Sequence, residues 1–136
     1  MGAAGVLALA RTFTNRRFER TVRLVCFGNE EPPYYRTANM GSVVYANRCR
    51  ERDENIVAML CLETMGYHVD DPQRQLYPFP LGLLYPSTGD FIAFVGNIAS
   101  RYLVRETVTS FRSHTKFPSE GAAPLGSLPG IGESDH

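Results

Sequence analysis

Val22-Arg23-Leu24-Val25-Cys26-Phe27-Gly28-Asn29-Glu30-Glu31-Pro32-Pro33 runs from an apolar segment straight into two adjacent carboxylates and a proline pair. Its first six residues are short, β-branched and aromatic, and they predict a buried strand. Two glutamates follow where that strand spills into a loop. Adjacent carboxylates repel one another, and a strand end is partly desolvated, so the pair is costly unless a proton or a metal ion relieves it. Pro32 and Pro33 fix the backbone just beyond the pair, which either holds the carboxylates in place or only ends the strand. Taken alone, the dipeptide fits a solvated acidic loop better than a site.

The next segment changes that balance. Asn39 is placed to cap a helix running to about Arg52, with Met40, Val43, Val44 and Ala46 as its apolar positions. Asn55 to Leu62 reads as a second buried strand, and Glu63 stands at its carboxyl end, as Glu30 and Glu31 do at the end of the first. Strand, helix and strand with short connections predict a βαβ unit, its two strands parallel and adjacent or nearly so. Open α/β sheets bind their ligands at the carboxyl ends of such strands. Three carboxylates converging on one edge make the functional reading the stronger one.

Upstream, residues 3 to 17 predict a packed helix with Val6, Leu9, Ala10 and Phe13 on one side, followed by Arg16 and Arg17. Ala8-Leu9-Ala10 imitates a signal-peptidase site, but no Lys or Arg precedes it and the apolar core is short. Downstream, residues 64 to 88 carry Pro72, Pro78, Pro80 and Pro86 together with Tyr67, Tyr77, Phe79 and Tyr85. A loop this long and aromatic is expected to lie over the strand ends as a pocket wall, or to complete the core as a flap. Gly89 to Val95 is a third strand candidate. Asn97 then caps a helix to about His114 with Ile98, Tyr102, Val104, Val108 and Phe111 inward. His68 and His114 are unremarkable by position. Phe117 to Gly132 is a Pro-, Gly- and Ser-rich tail, and Glu133-Ser134-Asp135-His136 follows it.

Composition sets the bounds. A chain of 136 residues fits one domain, and an apolar fraction of 43% with 21% charged residues is that of a soluble globular protein. A net charge of +0 advertises neither nucleic acid nor an anionic membrane. Cys26, Cys49 and Cys61 have no ligand spacing and are odd in number, which predicts buried free thiols. No apolar stretch approaches the length of a membrane span.

Residues 3 to 136 resemble the dinuclear zinc aminopeptidases of metallopeptidase family twenty-eight, the group that includes the glutaminyl cyclases. The resemblance rests on Asn29-Glu30-Glu31, Gly41-Ser42, Leu62-Glu63-Thr64-Met65-Gly66-Tyr67 and Ser134-Asp135-His136, in that order and spacing. It implies a three-layer α/β/α zinc-exopeptidase fold around a mostly parallel sheet. It also implies that Glu30 is the general base and that Glu31 and His136 share one zinc. Glu63 stands where the family places an acidic ligand, commonly Asp, of the other. The implied substrate is a peptide with a free N-terminus, and no nucleic-acid partner is implied.

The family's first histidine and its bridging aspartate belong to a His-x-Asp segment and a later Asp, both before the helix at residues 3 to 17. Its closing strand and helices follow the final histidine. The expectation is therefore a single partial peptidase domain over residues 1 to 136, inactive on its own, holding one zinc or none where an intact relative holds two. Two alternatives remain open: an acyl-transfer enzyme that cyclises N-terminal glutamine, and a non-catalytic binding module on the same scaffold. Intact Glu30, Glu31 and His136 speak against the second.

Overall fold

Two glycines place the first two helices. The computed structural model describes residues 1–68, 71, 81–83 and 85–123, and the chain divides into two compact units, Met1–Met65 and Gly66–Ile131. In the first unit, α1 spans Gly2–Phe13 and α2 spans Gly41–Glu51. A Cβ built on Gly2 would stand 2.4 Å from the Leu62 carbonyl oxygen, and one on Gly41 would stand 2.4 Å from the Gly28 carbonyl oxygen and 2.9 Å from its nitrogen. Each helix thus begins against the backbone at the end of one apolar run. The Gly41 N–H donates to the Gly28 oxygen at 2.9 Å, which closes the second contact.

The expected strands are not there. Neither Val22–Phe27 nor Asn55–Leu62 has regular secondary structure, and neither joins a sheet. A strand buried on both faces needs neighbours for its ladder and helices over its faces, and the described residues provide no ladder partner for either run. Their apolar side chains remain open to solvent: Val22, Leu24, Ile56, Val57, Met59 and Leu60 are all exposed, Leu60 at 64%. Cys26 and Cys61 are exposed with them, which corrects the expectation of buried thiols; of the three free cysteines only Cys49, on α2, is buried.

Helix boundaries follow the sequence more closely. α1 ends at Phe13 rather than at residue 17, and Phe13 meets the Phe18 ring edge-on at 5.0 Å beyond the turn. α2 ends at Glu51, close to the expected Arg52. Asn39 does not cap it. The N-cap is Met40, with no side-chain cap hydrogen bond; Asn39 instead receives the Asn29 side-chain amide on its carbonyl oxygen at 3.4 Å. The Gly28 contact occupies the start of the helix, so the capping work passes from a side chain to the backbone of the acidic loop.

The second unit holds the βαβ arrangement that the sequence placed one segment earlier. β1 (Ile92–Val95) leads through a single 3-10 turn at Ile98–Ser100 into α3 (Arg101–His114), and α3 returns to β2 (Ser119–Ala122). The strands are parallel, with Ile92 opposite Ser119 and Val95 opposite Ala122. Asn97 caps the 3-10 turn rather than α3 itself, its side-chain oxygen accepting the Ser100 N–H at 2.9 Å; the N-cap of α3 is Ser100, which makes no side-chain cap hydrogen bond. Val108 is buried and Phe111 meets Phe94 edge-on at 5.2 Å, so one face of α3 covers the sheet. Ile98 and Tyr102, expected inward, are exposed, Tyr102 at 61%. They lie at the helix entrance, beyond the span of a four-residue strand.

β2 lies inside the segment read as an irregular tail. Ser-Glu-Gly-Ala has little intrinsic strand preference, and it is the return of the chain from α3 to lie beside β1 that makes it a strand. Pro118 and Ala122 offer their carbonyls to Ile92 and Gly96 of the β1 side. Alternation then turns Ser119 and Gly121 outward. Both outward carbonyls are satisfied, Ser119 by the Arg112 guanidinium and Gly121 by the Tyr85 hydroxyl at 3.1 Å. An edge engaged in this way is a poor template for further pairing. Of the long loop before β1, residues 69–70, 72–80 and 84 lie outside the described residues, and with them most of the expected pocket wall.

The Gly41 contact carries a prediction. Gly41→Ala pushes a methyl group into the Gly28 backbone, and overpacking of this kind costs about 1–3 kcal/mol, more than the gain in helix propensity at that position. Urea unfolding of Gly41→Ala is expected to show a lower midpoint at unchanged slope. A midpoint equal to or above that of the natural chain contradicts the close approach.

Candidate active site

Three acidic residues singled out in the sequence, Glu30, Glu31 and Glu63, lie in the first unit at the ends of the two apolar runs. Gly28 is fixed by its contact with α2, and Asn29 immediately follows in the left-handed region with φ 61°. That twist reverses the chain direction and delivers Glu30, half-buried, and Glu31, exposed, into the loop. The Glu31 carbonyl then accepts the N–H groups of Tyr34 at 3.0 Å and Tyr35 at 3.2 Å. A second turn closes behind it, with the Thr37 hydroxyl donating to the Tyr34 carbonyl at 2.6 Å and the Met40 N–H to Thr37 at 3.2 Å. The acidic pair sits on a hydrogen-bonded loop tied at both ends to the start of α2.

Glu63 is held by a comparable device. Leu62, just before it, packs its carbonyl against Gly2, and its side chain approaches Gly5 together with Met65. Thr64, just after it, is in the left-handed region with φ 40°. A β-branched residue there is strained, at a cost of order 1–3 kcal/mol. The exposed Glu63 carboxylate accepts the Thr64 N–H at 3.0 Å and the Thr64 hydroxyl at 2.8 Å through the same oxygen, Oε1. Both acidic positions therefore adjoin a non-glycine residue with positive φ, and both are fixed from behind by a helix start.

Among the described residues no group of three or more His, Cys, Asp or Glu side chains is arranged to hold a metal ion. Glu31 and Glu63 are carboxylate donors of the hard kind that zinc accepts, but two such groups fall short of the three protein ligands a catalytic zinc requires. His136, the third expected ligand, lies outside the described residues. The described residues by themselves do not make a zinc site.

Arg23 ties this end of the chain together, and it stands in no motif. Its Nη1 donates to the Tyr45 hydroxyl at 3.1 Å, approaches the buried Cys49 sulfur at 3.9 Å and pairs with the Glu54 carboxylate. Arg52 adds a second, longer contact to Glu54 at 3.4 Å. The hydrogen bond from Arg23 lowers the pKa of Glu54 below the ordinary carboxylate value, against a smaller opposing effect of desolvation. The hydrogen bonds to Tyr45 and Glu54 raise that of Arg23. Phe27 packs edge-on against Tyr45 at 5.5 Å. Arg23 precedes the Glu30-Glu31 loop on one run, and Glu54 opens the run that ends at Glu63. The only sequence signal was a cation inside one apolar run and an anion at the entrance to the other, 31 residues apart.

The comparison with known proteins gives the class. The description Peptidase family M28 matches residues 1–124, and the chain belongs to that family. It is also 38% identical to the uncharacterized protein YfbL of Escherichia coli, over an alignment of 136 positions that covers 99% of this chain and 41% of the relative. The chain thus spans about two-fifths of the length of that curated protein. No solved structure matches.

The Arg23–Glu54 pair sets an acid dependence. A carboxylate whose folded pKa is depressed contributes stability above its unfolded value, and loses that stability as pH falls through the folded one. For Glu54 the window opens below about pH 4.5. Thermal unfolding followed from pH 6 to pH 3 is expected to show a shallower acid decline for Arg23→Gln than for the natural chain, with the two curves closing up at the acid end. Parallel curves across that range contradict the pairing.

Proposed function

We propose that this chain carries the proton-transfer carboxylate and part of the metal-ligand set of a zinc-dependent aminopeptidase. Glu30 is the general base, and Glu31, Glu63 and His136 are the metal ligands. Family membership supports a peptidase-type hydrolase with peptide substrates. The observation that carries the residue assignment is the shared construction around Glu30-Glu31 and Glu63. Each is fixed by a helix start packed on the preceding backbone, and each adjoins a residue with positive φ. Strain of this kind clusters at functional sites, where the surroundings hold it.

Zinc, when bound, would polarise a scissile carbonyl and make water acidic enough to attack near neutral pH. The chain's own contributions are narrower. Glu30, half-buried on the fixed loop, takes a proton at its carboxylate and returns it to the leaving amine, a role worth roughly 10²–10⁴-fold in rate. Glu31 and Glu63 supply negative charge, one from the end of each apolar run. The extra methylene of Glu63, where relatives commonly carry Asp, is taken up by the tight Thr64 turn that draws its carboxylate back toward the backbone.

Zinc titration of the purified chain by calorimetry separates these roles. At most one equivalent is expected to bind, with affinity reduced at least about tenfold by Glu31→Gln or Glu63→Gln and unchanged by Glu30→Gln. Hydrolysis of an aminoacyl anilide by the chain with zinc is expected to be absent or very slow, and any turnover to vanish in Glu30→Gln. Zinc binding indifferent to both Glu31→Gln and Glu63→Gln, or turnover that survives Glu30→Gln, contradicts the assignment.

A further inference from the structure

Between α3 and β2 runs an open groove of about 360 Å³, and one of its walls is a row of arginines. Arg101, Arg105 and Arg112 lie on α3 at i, i+4 and i+11. At 3.6 residues per turn these positions fall within roughly 40° of one another, so they form one stripe about 16 Å long. Val104 and Val108 line the floor beside them, and Glu120 of β2 lines the other side. Three guanidiniums against one carboxylate leave a charge of +2 in the groove, within a chain whose net charge is +0.

The three arginines differ in what they already hold. Arg112 is committed to the fold: it binds Ser119 and reaches Glu120 at 3.5 Å. Arg101 donates from Nη1 to the Ile98 carbonyl at 3.1 Å and from Nη2 to the Tyr102 hydroxyl at 3.2 Å, and it lies over the Tyr102 ring at 4.4 Å; two of its five N–H donors are used and the other three are left for a ligand. Arg105 is exposed; its carbonyl accepts the Thr109 hydroxyl at 2.8 Å, and its guanidinium makes no hydrogen bond or ion pair with the described residues. Like charges stacked one turn apart on a helix destabilise it, so a row of this kind is a cost to the isolated unit.

We propose that this groove docks an acidic peptide segment in extended conformation. The spacing favours an extended ligand over a point anion. Arg101 and Arg105 are about 6 Å apart along the helix axis, close to the distance of about 6.6 Å between alternate side chains of a strand. The full stripe matches about five extended residues. A phosphate ion would need donors converging on one point, and these are spread in a line. A nucleic acid strand would bring a dense row of phosphates against Glu120 and an uncharged chain. Backbone pairing with the β2 edge is not the mode, because Arg112 and Tyr85 already engage its outward carbonyls. Recognition is by carboxylates on alternate residues reaching Arg101 and Arg105, with the apolar floor of Val104 and Val108 beneath. The proposal does not rest on the hydrolytic reading.

Fluorescence anisotropy with a labelled ten-residue peptide of alternating glutamate and serine tests it on the full 136-residue chain. Binding at low salt is expected, weakening as salt rises. Arg101→Glu/Arg105→Glu is expected to lower affinity at least about tenfold, while Arg16→Glu/Arg17→Glu, the same charge change in the first unit, leaves it within about twofold. Circular dichroism of both variants shows whether they fold, and the milder Arg105→Gln, expected to weaken binding by a smaller factor, serves where the double variant does not. No binding at low salt, equal losses in the two double variants, or no effect of Arg105→Gln overturns the proposal. So does displacement of the peptide by inorganic phosphate or by a single-stranded oligonucleotide at matched concentration.

Discussion

One guanidinium sets the geometry of the first unit. Arg23 reaches a tyrosine and a cysteine of α2 and the glutamate that opens the second apolar run. Its side chain is 48% exposed, so solvent screens the pair with Glu54 and its value lies in geometry more than in energy. A planar donor fork fixes direction as well as distance. With Arg23 anchored, the first run can leave α2 in one direction only, and Gly28 arrives at Gly41 where a hydrogen bond receives it. The second run, anchored at Glu54, ends where Leu62 meets Gly2. The positions of Glu30, Glu31 and Glu63 are consequences of these anchors.

The helices were legible because their signals are local. Apolar spacing marked α1 and α2 to within a few residues, and Asn97 announced the 3-10 turn that leads into α3 through a side chain that accepts the Ser100 N–H. The strands were not, because a strand is a statement about neighbours. Val22–Phe27 has the composition of a central strand and no ladder partner among the described residues, whereas Ser119–Ala122 has the composition of a loop and is a strand because α3 returns it to β1. Residue type counted for less than what the chain could bring alongside.

The acidic loop was legible for a different reason. Adjacent carboxylates are costly, and the cost shows in the sequence without any knowledge of the fold. What the sequence hid was the means of holding them: the φ of 61° at Asn29 and of 40° at Thr64, and the two glycines whose missing side chains admit a carbonyl. Gly41-Ser42 was visible as a motif, but its physical meaning, a helix start pressed onto Gly28, is a long-range contact that no local pattern encodes. Arg23 and Glu54 were hidden in the same way, each unexceptional until the other is in place.

Glu31 and Glu63, which the family resemblance assigns to the two different zincs of an intact relative, are proposed to share the one zinc that this chain holds. Anomalous diffraction at the zinc edge, from crystals of the chain grown with zinc, addresses that sharing most directly. A peak bonded to carboxylate oxygens of both Glu31 and Glu63 at about 2.0–2.2 Å is expected. A peak that touches neither glutamate, or one held by Glu63 with Glu31 turned away into solvent, would contradict it.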